Sequence, residues 1–115
     1  MVRIESYSFG RMVIDGSLYT KDVIIFPDGS ILSPWWRQQG HVLIKDDLVG
    51  LLAAGPEVIV CGTGAMGVMQ PAAELKGYLA ANKIEFLAER TSKAVATYNS
   101  LSGRKNLAAC FHLTC

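Results

Sequence analysis

The feature that most constrains this chain is the order of apolar runs in its second half. Val58-Ile59-Val60-Cys61 is apolar without interruption, the pattern of a strand covered on both faces in a parallel sheet. Pro71 suits the first turn of a helix, and Ala72, Leu75 and Leu79 give that helix an inward stripe up to Asn82. Ile84 to Ala88 reads as the next strand. Thr91 or Ser92 can cap a second helix, with Ala94, Val95, Tyr98 and Leu101 facing inward and Gly103 at a left-handed exit. Leu107 to Thr114 closes the series as a strand. Strand, helix, strand, helix, strand with short connections predicts a right-handed parallel βαβαβ unit.

The first third reads differently. Short runs rich in Val, Ile, Tyr and Phe are broken by Asp15-Gly16 and by Pro27-Asp28-Gly29, both of which favour tight reversals because glycine accepts a positive φ. Antiparallel strands are expected near 3 to 8, 12 to 14, 18 to 26 and 30 to 32. Ser33-Pro34-Trp35-Trp36-Arg37 interrupts the pattern, and two adjacent tryptophans cannot face the same core from one strand, so at least one ring is expected near the surface. Val42, Leu43 and Ile44 suggest another short strand. From Lys45 the pattern turns helical, with Asp46 or Asp47 at the positive end, Leu48, Leu51 and Leu52 inward, and Gly55-Pro56 as the stop.

The expected fold is therefore α/β, a three-layer sandwich with a parallel βαβαβ core and an N-terminal antiparallel β region. One domain covers residues 1–115, mainly β over 1–44 and an α/β core over 45–115. At 115 residues and 50% apolar content, such a domain buries enough surface to fold without disulfides or a metal.

Charge and cysteine content narrow the functional classes. Residues 1–50 carry five basic and six acidic side chains, and residues 51–115 six and four. Neither half is a polycation that would hold nucleic acid by counterion release. The start, Met1-Val2-Arg3-Ile4-Glu5, lacks the apolar core of a signal peptide and the character of a transit peptide. A membrane span over the apolar stretch from Leu48 to Ala73 would place Pro56, Glu57 and five glycines at bilayer depth, so no membrane insertion is expected. Cys61, Cys110 and Cys115 are odd in number and lack Cys-x-x-Cys spacing, which fits a reducing, cytoplasmic setting and predicts no metal site.

Candidate chemistry concentrates after the Val58 strand. Gly62-Thr63-Gly64-Ala65-Met66-Gly67 matches G-x-G-x-x-G, and Glu89 follows at fingerprint spacing. Pro71, however, delays the helix beyond Gly67, whereas a dinucleotide site needs helix amides meeting the pyrophosphate within the glycine turn. No cofactor is expected on that ground. Two readings of the loop remain: it presents amides to an anion or small ligand through Gly62, Thr63, Gly64 and Gly67, with Tyr98 and Asn99 lining a cleft, or its glycines only permit a tight turn. Met66, Val68 and Met69 make it unusually apolar, so with Trp35, Trp36 and Arg37 it could form a contact face for another protein. His41 and His112 lack any motif pairing them with a nucleophile, and His112 reads as a hydrogen-bonded core residue. Arg104-Lys105 reads as a solvated pair complementing the helix dipole.

Val60-Cys61-Gly62-Thr63-Gly64, Met69-Gln70-Pro71, Thr91 through Ala94-Val95 to Tyr98-Asn99, and His112-Leu113-Thr114-Cys115 resemble, in order and spacing, a small domain-of-unknown-function family. That family includes stand-alone bacterial and archaeal proteins, the adipogenesis-associated protein of animals and a mitochondrial assembly factor for respiratory complex I. The resemblance implies a three-layer α/β sandwich and no established reaction, and the mitochondrial branch acts by binding other proteins. The leading expectation is a non-catalytic protein-interaction or assembly accessory domain with a protein partner or a second copy of itself. The alternative is a small-molecule or anion-binding enzyme built on Gly62-Thr63-Gly64.

Overall fold

The computed structural model describes residues 2–103 and 106–115. Met1 and the Arg104-Lys105 pair lie outside the described residues. Three strands, β1 (Ile4–Ser8), β2 (Arg11–Ile14) and β3 (Ser17–Tyr19), form an antiparallel sheet of their own. The β2–β3 turn is Asp15-Gly16, with both residues at positive φ (47° and 82°), as a two-residue hairpin loop requires.

The chain then enters the main sheet through β4 (Val23–Ile25) and β5 (Ile31–Leu32). The expected single strand over 18 to 26 is thus two strands in two different sheets. The break falls at Thr20-Lys21-Asp22, because the Asp22 side chain is engaged elsewhere. β6 (Val42–Leu43) is followed by a 3-10 turn over Lys45–Leu48 and a short α1 (Val49–Ala53).

β7 (Val58–Gly62), β9 (Glu85–Glu89) and β10 (Leu107–Phe111) are the expected parallel strands, connected by α2 (Ala73–Ala81) and α3 (Thr91–Leu101). The main sheet runs β5-β4-β10-β7-β9, and β4 and β5 join antiparallel, so the sheet is mixed. Every residue of β7 and β10 is buried, which is why both read as unbroken apolar runs.

Side chains alternate between the two faces of the sheet. Val58, Val60, Ala109 and Phe111 pack with Ala94 and Tyr98 of α3 and with Ile4, Met12 and Ile14 of the N-terminal sheet. Ile59, Cys61, Ala108 and Cys110 pack with Leu48 and Leu51 and with Leu75 and Leu79 of α2. The sheet is therefore covered on both sides.

Two local expectations need correction. Pro71 does not open α2; it sits in a short strand, β8 (Gln70–Pro71), parallel to β6, and extended Ala72 precedes the helix. The last strand ends at Phe111 rather than near Thr114. Its neighbour β4 begins at Val23, opposite Phe111, and beyond that point the Leu113 amide turns to the Asp22 side chain.

Candidate functional site

The carboxyl ends of β7 and β9 send their connections to opposite faces, through α2 and α3 respectively. In open α/β sheets that arrangement creates a crevice suited to ligands. Here the chain fills it. The Thr63 amide and hydroxyl both donate to the Glu89 carbonyl (2.8 and 3.0 Å). The Gly64 amide donates to Thr91 Oγ1, which itself donates to the His112 carbonyl (2.9 and 2.7 Å).

The C-terminal segment and the loop's own carbonyls seal the rest of the loop. Ala65 N donates to Thr114 O (2.6 Å), Val68 N to Cys115 O (3.0 Å), Gly67 N to Gly64 O (3.2 Å) and Met69 N to Thr63 O (3.0 Å). Those amides, which an anion would need, already have acceptors. Gly64, at φ 109°, has no room for a side chain: a Cβ there would stand 2.2 Å from the Cys115 carbonyl carbon. A Cβ on Gly62 would meet Phe111 at 2.7 Å and Thr91 Oγ1 at 2.8 Å. These glycines permit close backbone approach.

The structure gathers Gly62, Thr63, Gly64 and Gly67 on one loop but places Tyr98 and Asn99 elsewhere. Tyr98 packs edge-on against Phe111 with ring centroids 6.2 Å apart. Burial, with the Asp15 carboxylate adding to it, pushes its hydroxyl up to about 12. Asn99 Nδ2 donates to Ile4 O and its Oδ1 accepts from Ile4 N (2.8 and 3.0 Å). It ties β1 to α3 rather than lining a cleft.

Beside the sealed loop lies a polar cluster that the sequence does not announce. Asp22, just ahead of β4, accepts from His112 Nδ1 (2.8 Å) and Arg37 Nη1 (2.6 Å) on one carboxylate oxygen. The other oxygen accepts from the Leu113 amide (2.8 Å). Burial raises the Asp22 carboxyl, but the bonds from His112, Leu113 and Arg37 together hold it below its ordinary value. An ionised carboxylate can only accept, so the Nδ1 proton of His112 points to Asp22, with Arg37 Nη2 3.1 Å from the same nitrogen. The buried His112 Nε2, like Arg37 Nε, has no hydrogen-bond partner among the described residues. Through its bond to Nδ1, Asp22 orients the ring. Nothing in Lys21-Asp22-Val23 marks this role.

The expected contact residues divide sharply. Trp35 is buried, its Nε1 donating to Asp47 O (3.0 Å), and Arg37 lies 4.7 Å over its ring. Met69 is fully buried. They support the rim and offer no surface. Trp36 is 77% exposed, Met66 70% and Val68 40%. The two segments that carry them are joined where Gln70 N donates to His41 O (2.9 Å).

Among the described residues, no three His, Cys, Asp or Glu side chains converge as a metal-ligand set. The Cys61 thiol beside it, together with burial, pushes the Cys110 thiol well above its ordinary value, which leaves it unreactive.

Residues 4–112 match the family model described as a protein of unknown function (DUF498/DUF598). The chain belongs to this family. Its fold is shared with the conserved hypothetical protein PH1505 from Pyrococcus horikoshii OT3, at 29% identity and TM-score 0.84 over 98% of this chain and 99% of that one. A protein named MT938 matches at 26% identity and TM-score 0.82 over the whole of both chains. A Bordetella pertussis protein described as a Mth938-like domain matches at 18% identity and TM-score 0.69 over 96% of this chain and 85% of that one. No curated protein matches. The chain thus shares its α/β fold with these three proteins. Among the described residues, no helix is long and apolar enough to cross a membrane.

Proposed function

We propose that the domain is a cytoplasmic, non-catalytic protein-interaction or assembly accessory module, with its contact face on the rim at the carboxyl ends of the parallel strands. The observation that carries this reading is the exposure of Trp36 and Met66 (77% and 70%) on segments whose backbones are tied down beneath them. Large aromatic and methionine side chains cost solvent contact, and they are enriched where proteins meet. Arg37, Trp35 and Met69 act from below by fixing the two segments. The resemblance to the family that includes the mitochondrial assembly factor supports an assembly role and names no partner for this chain.

The alternative, a small-molecule or anion-binding enzyme using Gly62-Thr63-Gly64, draws no support from a loop whose Thr63, Gly64, Ala65, Gly67, Val68 and Met69 amides are engaged by the chain's own oxygens. The test is affinity capture with the intact chain, quantified by mass spectrometry, beside Trp36→Ala and Met66→Ala. Both variants are expected to keep their thermal midpoint and lose the same stoichiometric partner. Unchanged recovery with both removes the proposed face. A second copy as the captured species, shown by light scattering, assigns the face to self-association.

A further inference from the structure

β9 is the outer strand of the main sheet, and among the described residues no strand flanks its far edge. Two bonds identify the inner edge: Glu85 N donates to Glu57 O (3.0 Å), and Glu89 O accepts from Thr63 N (2.8 Å). A residue's N–H and C=O point to the same side of a strand, and successive residues alternate. Glu85, Leu87 and Glu89 therefore face β7. Phe86 and Ala88 turn their backbone groups outward.

The same two residues line a groove. With Ile84, and with Lys76, Leu79 and Ala80 from α2, they enclose about 450 Å³. The edge carries no proline and no bulge, since all five residues of β9 pair in unbroken register with β7, so two of the usual obstacles to strand addition are missing. The opposite face of β9 bears Glu85 and Glu89, four residues apart. Glu89 is shared with Thr97 Oγ1 (2.6 Å) and Lys93 Nζ (3.5 Å), which leaves exposed Glu85 as the carboxylate open to a partner on that face, with Lys76 the charged residue lining the groove.

We infer that this edge is a strand-addition site for an extended segment of another protein in which aliphatic side chains alternate with Lys or Arg. Main-chain bonds to Phe86 and Ala88 supply register, the groove takes the aliphatic side chain, and the basic residues lie beside Glu85 and Glu89. A second copy paired symmetrically about Leu87 is the poorer occupant. Antiparallel pairing of two β9 edges about Leu87 sets Glu85 against Glu89 of the copy twice, and like charges directly opposite destabilise. The site is separate from the Trp36 and Met66 rim, so either can fail alone.

The probe is a short capped peptide alternating leucine and lysine, titrated into the isotope-labelled chain and followed by NMR. The amides of Phe86 and Ala88 are expected to shift and to gain hydrogen-exchange protection. Glu85→Lys is expected to weaken binding about fivefold. Ala88→Pro removes an outward N–H at an edge position that tolerates proline and abolishes binding with the fold retained. The same peptide N-methylated at alternate amides, which leaves the chain untouched, loses binding too. Undisturbed Phe86 and Ala88 amides at saturating peptide overturn the inference. So does equal affinity for a leucine-glutamate peptide, or a dimer of the free chain that Ala88→Pro dissociates.

Discussion

The Asp22 carboxylate meets His112 Nδ1 at 2.8 Å across ninety residues of chain, and this contact fastens the C-terminal segment to the entrance of β4. Arg37 joins the same carboxylate oxygen, so three distant segments converge on one negative charge. Removing that charge leaves the buried Arg37 guanidinium without its counterion and His112 Nδ1 without its acceptor. Asp22→Ala is expected to cost about 3 kcal/mol, read from the midpoint of urea unfolding.

Asp22 also gives stability a pH dependence. Its carboxyl titrates below its ordinary value of 3.8 when folded, so the unfolded chain binds the proton more readily. The contribution is fully present above the unfolded value and is lost as pH falls through the lower folded value. Unfolding free energy measured from neutral pH into the acid range should fall less steeply in Asp22→Asn than in the parent chain. Equal slopes would show that another group governs acid sensitivity.

Two glycine-to-alanine changes should act in opposite directions. Gly64→Ala forces a side chain into the Cys115 backbone at a positive φ, and is expected to cost about 3 kcal/mol or more. Gly77 lies inside α2 with nothing within 4 Å of its Cβ position. Gly77→Ala is expected to gain about 0.5 to 1 kcal/mol. Thermal unfolding of the two variants checks both signs.

Asn99 holds β1 through two bonds to Ile4. Asn99→Ala is expected to cost about 2 kcal/mol. The loss should concentrate in the N-terminal sheet, where hydrogen exchange of the β1 and β2 amides should accelerate more than that of β7 and β10.

The parallel strands and their helices were legible because burial on both faces leaves a direct trace in sequence, as at Val58-Ile59-Val60-Cys61. Turn chemistry placed the Asp15-Gly16 hairpin for the same reason: the conformation demands the residue. The β6–β8 pair left no trace, since two-residue strands carry no period and Pro71 reads more naturally as a helix opener. The divided strand over 18 to 26 depends on Asp22, whose role is set by partners fifteen and ninety residues away. The sequence showed that the two tryptophans must part. Only the Trp35 bond to Asp47 and its contact with Arg37 reveal which one goes inside. The glycine loop was visible as a loop, but its closure depends on residues 112–115 returning across it.

That closure is tested most directly by amide hydrogen exchange of residues 63–69, measured alone and with inorganic phosphate or a dinucleotide added. The sealed loop should show Gly64, Ala65, Val68 and Met69 amides exchanging slowly, with protection unchanged by either anion. Rapid exchange at these amides, slowed when phosphate or dinucleotide is added, would contradict it and make the loop a ligand site.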